Sequence, residues 1–414
     1  MAAFAIAQEA DVHLPPGPPK LPVIGNVALM GRDKAWEVFE EWSKKLNSDV
    51  TSLSGLGHVA IVANSYTSRR LTRPQQHLQP PAVHVYGALR VVEPAHLLPC
   101  DERWKMERRF CHKAIGTRSS LAKYDQTKEL LAAKFAKGWM ERPDALEEFC
   151  HIFAGDLILR VTYGYESKGY DPMIKLGEEV TEAAAESGSP GKWMVDVLPF
   201  LRHVPDWFPF TGWKRVVRTQ RELMEEFANK PFDWDEGRAA PSFVSELMSE
   251  KDLTPEKAFA IRWCATVLFG GGSHTTVWTI YALMKMLCLH PEVQARAQAE
   301  IDEVIGSNRL PQTSDKNPCH TCGPAVWKPS DGMLSSLLRF LLAIPHFATE
   351  DNAYDGYAIP KGSIVMANLW AISRDEREYP DPHNFKPERF LVTSRNGARK
   401  IGSSVLAVVS AQVK

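Results

Sequence analysis

Residues 255–290, PEKAFAIRWCATVLFGGGSHTTVWTIYALMKMLCLH, make an apolar run longer than an average helix, with Gly270, Gly271 and Gly272 at its middle. Each interior glycine costs about 1 kcal/mol relative to alanine. Three in succession therefore call for close backbone approach or a local distortion. Three further stretches, DERWKMERRFCHKAI, SSLAKYDQTKELLAAKFAKGWM and LEEFCHIFAGDLILRVTYG, also carry an apolar stripe at helical spacing. From about residue 100 onward the chain reads as mainly helical.

The β signal is small. VTSLSGLGHVAIVAN reads as two short strands joined through glycine, after a helix that places Trp36, Phe39 and Trp42 on one face. AIPHFATEDNAYDGYAIPKGSIVMANLWAISRD reads as a hairpin-like pair of strands leading into a helix. PEVQARAQAEIDEVIG is a helix with Pro291 at its first position and Gly306 past its end. The expected class is mainly α with a small β region. LPPGPPKLPVIGN (14–26) is stiff and extended, so residues 1–26 read as a proline-rich N-terminal segment and 27–414 as one domain. Residues 317–340 hold no coherent period.

Charge and cysteine content narrow the function. With 49 basic against 50 acidic residues, no excess points to nucleic acid or anionic lipid. Seven scattered cysteines fit reduced thiols better than a disulfide framework. Cys319 and Cys322, as CHTC, have the spacing of half a zinc site or a redox pair, but no second CxxC or HxxxH follows. MAAFAIAQEADVH is too short an apolar run to cross a bilayer and lacks a signal peptide's basic start. As written, the chain is expected to be soluble or peripheral.

LPPGPPKLPVIGN, the WxxxR of Trp104 and Arg108, GGSHTT, HPEVQARAQAEIDEVIG, AIPHFATEDNAYDGYAIPKGS and PDPHNFKPERF, in that order over most of residues 14–392, resemble the cytochrome P-450 family of the fungal microsomal type. The resemblance implies a haem b cofactor, electrons from NADPH through a cytochrome P-450 reductase, and insertion of one oxygen atom from dioxygen into a lipophilic substrate. It also implies association with the endoplasmic reticulum membrane through an N-terminal anchor, which this chain does not show.

Residue by residue, the resemblance assigns roles that the bare chemistry permits. Trp104 and Arg108 lie four apart, so an indole N–H and a guanidinium can converge on one anion, in the family a haem propionate. Gly271 and Gly272 remove side chains where a flat ligand would press on the helix, and Thr275 offers a hydroxyl that the family uses to organise water and protons. A helix threonine can equally bond back to a carbonyl. His274 stands where the family has an acid, and histidine relays protons near neutral pH. His346 matches a position that often faces the other propionate; a satisfied core histidine fits as well. Arg389 matches an arginine that locks onto the family's ExxR helix, a structural ion network.

Two motifs are missing: no ExxR precedes AIPH, and no cysteine follows Cys322, so no axial thiolate for the iron is present. Both gaps fall in incoherent text, and both fill when the codons are read one base over. The Trp327–Lys328 junction then encodes Glu without freedom, and 318–333 permits LPYVRAxxLETLRWH. SSVLAVVSAQVK (403–414) permits FGFGRRxCPG, the family's haem-ligand loop, with the Cys codon straddling Ser410 and Ala411. RPQQHLQPPA (73–82) permits RSSIYSxRP in the other phase. The chain therefore reads as a frame-disrupted P-450 without monooxygenase activity of its own. Two alternatives stand beside it: a non-enzymatic helical protein binding a lipophilic ligand or partner, and a zinc or redox protein built on CHTC.

Overall fold

The computed structural model describes residues 13–22, 24–26, 29, 34–66, 68, 78–79, 102–187, 195, 201, 203–209, 211–235, 241–316 and 345–384. Its backbone divides into two compact units. One is built from Met1–Trp104, Ala183–Arg221 and Leu338–His383, the other from Lys105–Glu182, Glu222–Leu337 and Asn384–Lys414.

The first unit holds the β structure. Helix α1 (Ala35–Lys45) precedes strands β1 (Val50–Gly55), β2 (His58–Ala63) and β3 (Leu78–Gln79). Strands β4 (His346–Ala348), β5 (Asn352–Tyr354), β6 (Tyr357–Ile359) and β7 (Ile364–Ala367) follow much later in the chain. Among the described residues the main sheet runs β1-β2-β7-β4-β3, with the β2–β7 pair parallel and the other pairs antiparallel. The last four residues of β2, AIVA, are all apolar and buried because both faces of the strand are covered there. Ile61 and Ala63 join Val365 and Ile359, while Ala60 and Val62 pack with Met366 and with Phe39 of α1.

Both tight hairpins turn through consecutive left-handed residues, Leu56–Gly57 (φ 51° and 83°) and Asp355–Gly356 (φ 51° and 80°), the backbone that matches strand twist in two-residue loops. The short helix Leu369–Ser373 is anchored by buried Asn368. Its amide donates to the Trp36 carbonyl and to Asn64 Oδ1, both at 2.9 Å.

The proline-rich segment is docked along β1. The carbonyls of Pro15 and Pro16 accept from Ser52 Oγ (2.5 Å) and Ser52 N (3.0 Å). A Cβ at Gly17 would lie 2.1 Å from the Ser52 carbonyl oxygen, so only glycine lets the segment come this close.

The second unit is helical. In chain order it contains α2 (Glu102–Ile115, from Lys105 on), α3 (Arg118–Ala122), α4 (Asp125–Glu141) and α5 (Leu146–Tyr163). There follow most of α6 (Pro172–Ser187), the later part of α7 (Gly212–Asp235), α8 (Phe243–Met248), α9 (Pro255–Leu289) and α10 (Pro291–Val304). Its core surrounds the first half of α9, where Ile261, Cys264, Ala265, Leu268 and Phe269 are buried. Phe269 stacks on Phe227 (4.7 Å, 23°) and meets Tyr163 edge-on (6.2 Å, 82°). The triple glycine leaves α9 unbroken.

Candidate functional site

Helix α9 starts at Thr254, whose side chain accepts from Lys257 N, with Pro255 at the first turn. Its apolar first half is locked by aromatic packing, and the glycines that follow serve different faces. A Cβ on Gly272 would fall 2.6 Å from Ile158 Cδ1 of α5, so this glycine permits close helix packing. A Cβ on Gly271 meets nothing within 4 Å.

Gly271, Thr275 and Trp278, spaced i, i+4, i+7, form an exposed stripe along the middle of the helix. The Thr275 hydroxyl donates to the Gly271 carbonyl at 2.6 Å, and those of Thr276 and Thr279 make the same backward bond to Gly272 and Thr275. Thr275 Oγ1 keeps its acceptor capacity. A face of one hydrogen side chain and one hydroxyl fits a flat ring system pressed against it.

His274 points elsewhere on α9. Its ring lies 6.1 Å from that of His151 on α5, edge to face, and 6.4 Å from that of Trp278. His151 Nδ1 lies against Glu178 Oε1 of α6, and Tyr170 Oη donates to Glu178 Oε2. Burial pushes the Glu178 carboxyl up, but bonds from His151 and Tyr170 and the charges of His151 and His274 outweigh it and hold the group below its ordinary range. Burial and the bond to Glu178 raise the Tyr170 hydroxyl. His151, Glu178 and Tyr170 escaped the sequence reading: His151 and Glu178 were single polar residues in helices read for their apolar stripes, and Tyr170 lies in the connection between α5 and α6.

Trp104 and Arg108 stand one turn apart on α2, both half-buried. His346 opens β4, half-buried and opposite Val365. Trp104 and His346 fall in the sheet unit, and Arg108 with α9 in the helical unit. Arg389, Cys319, Cys322 and the stretches 318–333 and 403–414 lie outside the described residues; of 73–82, only Leu78 and Gln79 are described, in β3. Among the described cysteines, burial pushes the Cys150 thiol up to about 11 and that of Cys264 well above its ordinary value. Both are fully buried in the core. No cluster of three metal-binding side chains occurs among the described residues, and none of their helices is long and apolar enough to cross a membrane.

A family model described as Cytochrome P450 matches residues 15–322 and 333–405. The chain belongs to the cytochrome P450 family. As a P450 it is similar to cytochrome P450 monooxygenase 98 of Postia placenta, 34% identical over 409 residues, covering 92% of this chain and 75% of that protein. It is also similar to monooxygenase claR of Ampulloclitocybe clavipes (32% over 404 residues; 92% and 72%) and to monooxygenase ppsD of Aspergillus oryzae (30% over 401 residues; 92% and 74%). Family and relatives make haem-dependent monooxygenation the function of this lineage, and the helical fold with a small sheet is the one expected. The match omits 323–332 and stops at 405. The omission falls within the first stretch that reads as a P450 motif one base over, and the stop falls within the second.

Proposed function

We propose that the Gly271–Thr275 face of α9 is the oxygen-activating side of a haem site for a lipophilic substrate. The observation that carries this is the contrast between adjacent glycines: Gly272 is filled by Ile158, while Gly271 faces outward beside a threonine hydroxyl. When bound, haem supplies the electron-transfer and oxygen-cleaving chemistry. Gly271 keeps the face flat, and Thr275 Oγ1 accepts a hydrogen bond from water while donating its own proton to the Gly271 carbonyl. Trp104 Nε1 and the Arg108 guanidinium would donate to one propionate and His346 to the other, with Arg389 in a structural ion network. Electrons from NADPH, delivered by a reductase at the endoplasmic reticulum membrane, complete the reading.

For the polypeptide as written we infer weak or thiolate-free haem binding and no monooxygenase turnover, because SSVLAVVSAQVK (403–414) stands in place of the family's haem-ligand loop and holds no cysteine. Haemin titration of the full chain tests the site. Binding that Gly271→Phe weakens at least tenfold supports it, and binding that ignores this substitution contradicts it. A reduced, carbon-monoxide-bound spectrum tests the missing ligand: a thiolate-type Soret band would refute that inference.

A further inference from the structure

Cys111 of α2 and Cys264 of α9, 153 positions apart in the chain, bring their sulfurs to 2.7 Å. Both are free thiols, and both lie in the helical unit. A covalent S–S bond measures about 2.05 Å, so only a small approach separates the pair from bonding. Cys264 Sγ is held from the α2 side as well, donating to the Glu107 carbonyl at 3.6 Å, one turn before Cys111. With that hydrogen engaged, the sulfur lone pairs of Cys264 are left for Cys111. Cys264 is completely buried, whereas Cys111 keeps 8% exposure.

We propose that Cys111 and Cys264 form a peroxide-responsive pair that closes to a disulfide between α2 and α9. The oxidant is hydrogen peroxide, small and uncharged enough to reach a thiol at the edge of a packed core. Cys111, the one of the two that touches the surface, attacks as its thiolate. The O–O bond breaks, hydroxide leaves and takes up the Cys111 proton as water, and Cys111 becomes a sulfenic acid. The Cys264 sulfur then attacks the Cys111 sulfur. The S–S bond forms, the S–O bond breaks, and the oxygen departs as water with the Cys264 proton. In sum two thiols lose two electrons and two protons, and one hydrogen peroxide is reduced to two waters.

The surroundings suit this division of roles. Burial, joined by the hydrogen bond and charge of Cys111, pushes the Cys264 thiol well above its ordinary value, so it keeps its proton until the sulfenic acid is at hand. Cys150, equally buried, sits in a different part of the core with Ala154 and Val277. In a reducing compartment the pair rests as thiols. Once closed, the bond constrains the unfolded chain across a long loop, where a cross-link stabilises most. The pair owes nothing to the haem-site assignment.

Peptide mapping of the full-length chain tests this without haem. The folded chain is treated with hydrogen peroxide, unfolded, alkylated at its remaining thiols, and digested without reductant. The expected product is a cross-linked peptide pair carrying Cys111 and Cys264, lighter by two hydrogens than the separate peptides and cleaved by dithiothreitol. Exposed Cys288 reports that the oxidant has acted. Oxidised Cys288 beside Cys111 and Cys264 both recovered as alkylated thiols overturns the proposal. Links from Cys150 to either residue in equal yield overturn it too, since they would mean unselective pairing. Oxidation should also raise the urea midpoint of the native chain and leave that of Cys264→Ala unmoved; an equal rise in both contradicts the bond.

Discussion

Gly272 of α9 and Ile158 of α5 are in direct contact, with the space a Cβ would need already taken by Ile158 Cγ1 and Cδ1 at 2.7 and 2.6 Å. Gly272→Ala should therefore destabilise the chain by about 1–3 kcal/mol through overpacking, despite alanine's better helix propensity. Gly271→Ala, meeting nothing, should instead gain up to about 1 kcal/mol. Thermal melts of the two variants without haem check this pair; equal shifts would mean that α5 and α9 do not pack this way.

Phe269 is fully buried between Phe227 and Tyr163. Phe269→Ala should cost about 3–5 kcal/mol, the usual range for a large aromatic removed from a packed core. Urea unfolding followed by tryptophan fluorescence would show it as a lower midpoint, and a loss under 1 kcal/mol would contradict the packing described.

The Glu178 carboxyl is held below its ordinary range. A depressed carboxyl contributes stability that is present above the unfolded-state value, about 4.3, and is lost as pH falls through the folded value. Melting temperature should thus differ between the native chain and Glu178→Gln at pH 6 and converge on acidification below pH 4. A constant difference across that range would mean that Glu178 is not engaged by His151 and Tyr170.

Much of the architecture was legible because its signals are local. The Asp355–Gly356 turn, Pro291 at the start of α10 and Gly306 after its end each mark a boundary by their own backbone chemistry. The proline-rich segment had no such signal. Its partners, Ser52 and β1, are distant in sequence, and an extended prolyl chain looks alike whether docked or free. Gly271 and Gly272 read identically in sequence, and only Ile158 separates their roles. The contacts of His151 were equally hidden, because Glu178 and His274 lie 27 and 123 residues beyond it.

The nucleotide sequence of the transcript across 318–333 and 403–414 tests the central claim most directly, that a haem-thiolate monooxygenase is written here partly out of frame. The account predicts bases that encode ExxR and FGFGRRxCPG one position over, with the cysteine codon spanning Ser410 and Ala411. Bases that encode neither motif in the shifted frame would contradict it.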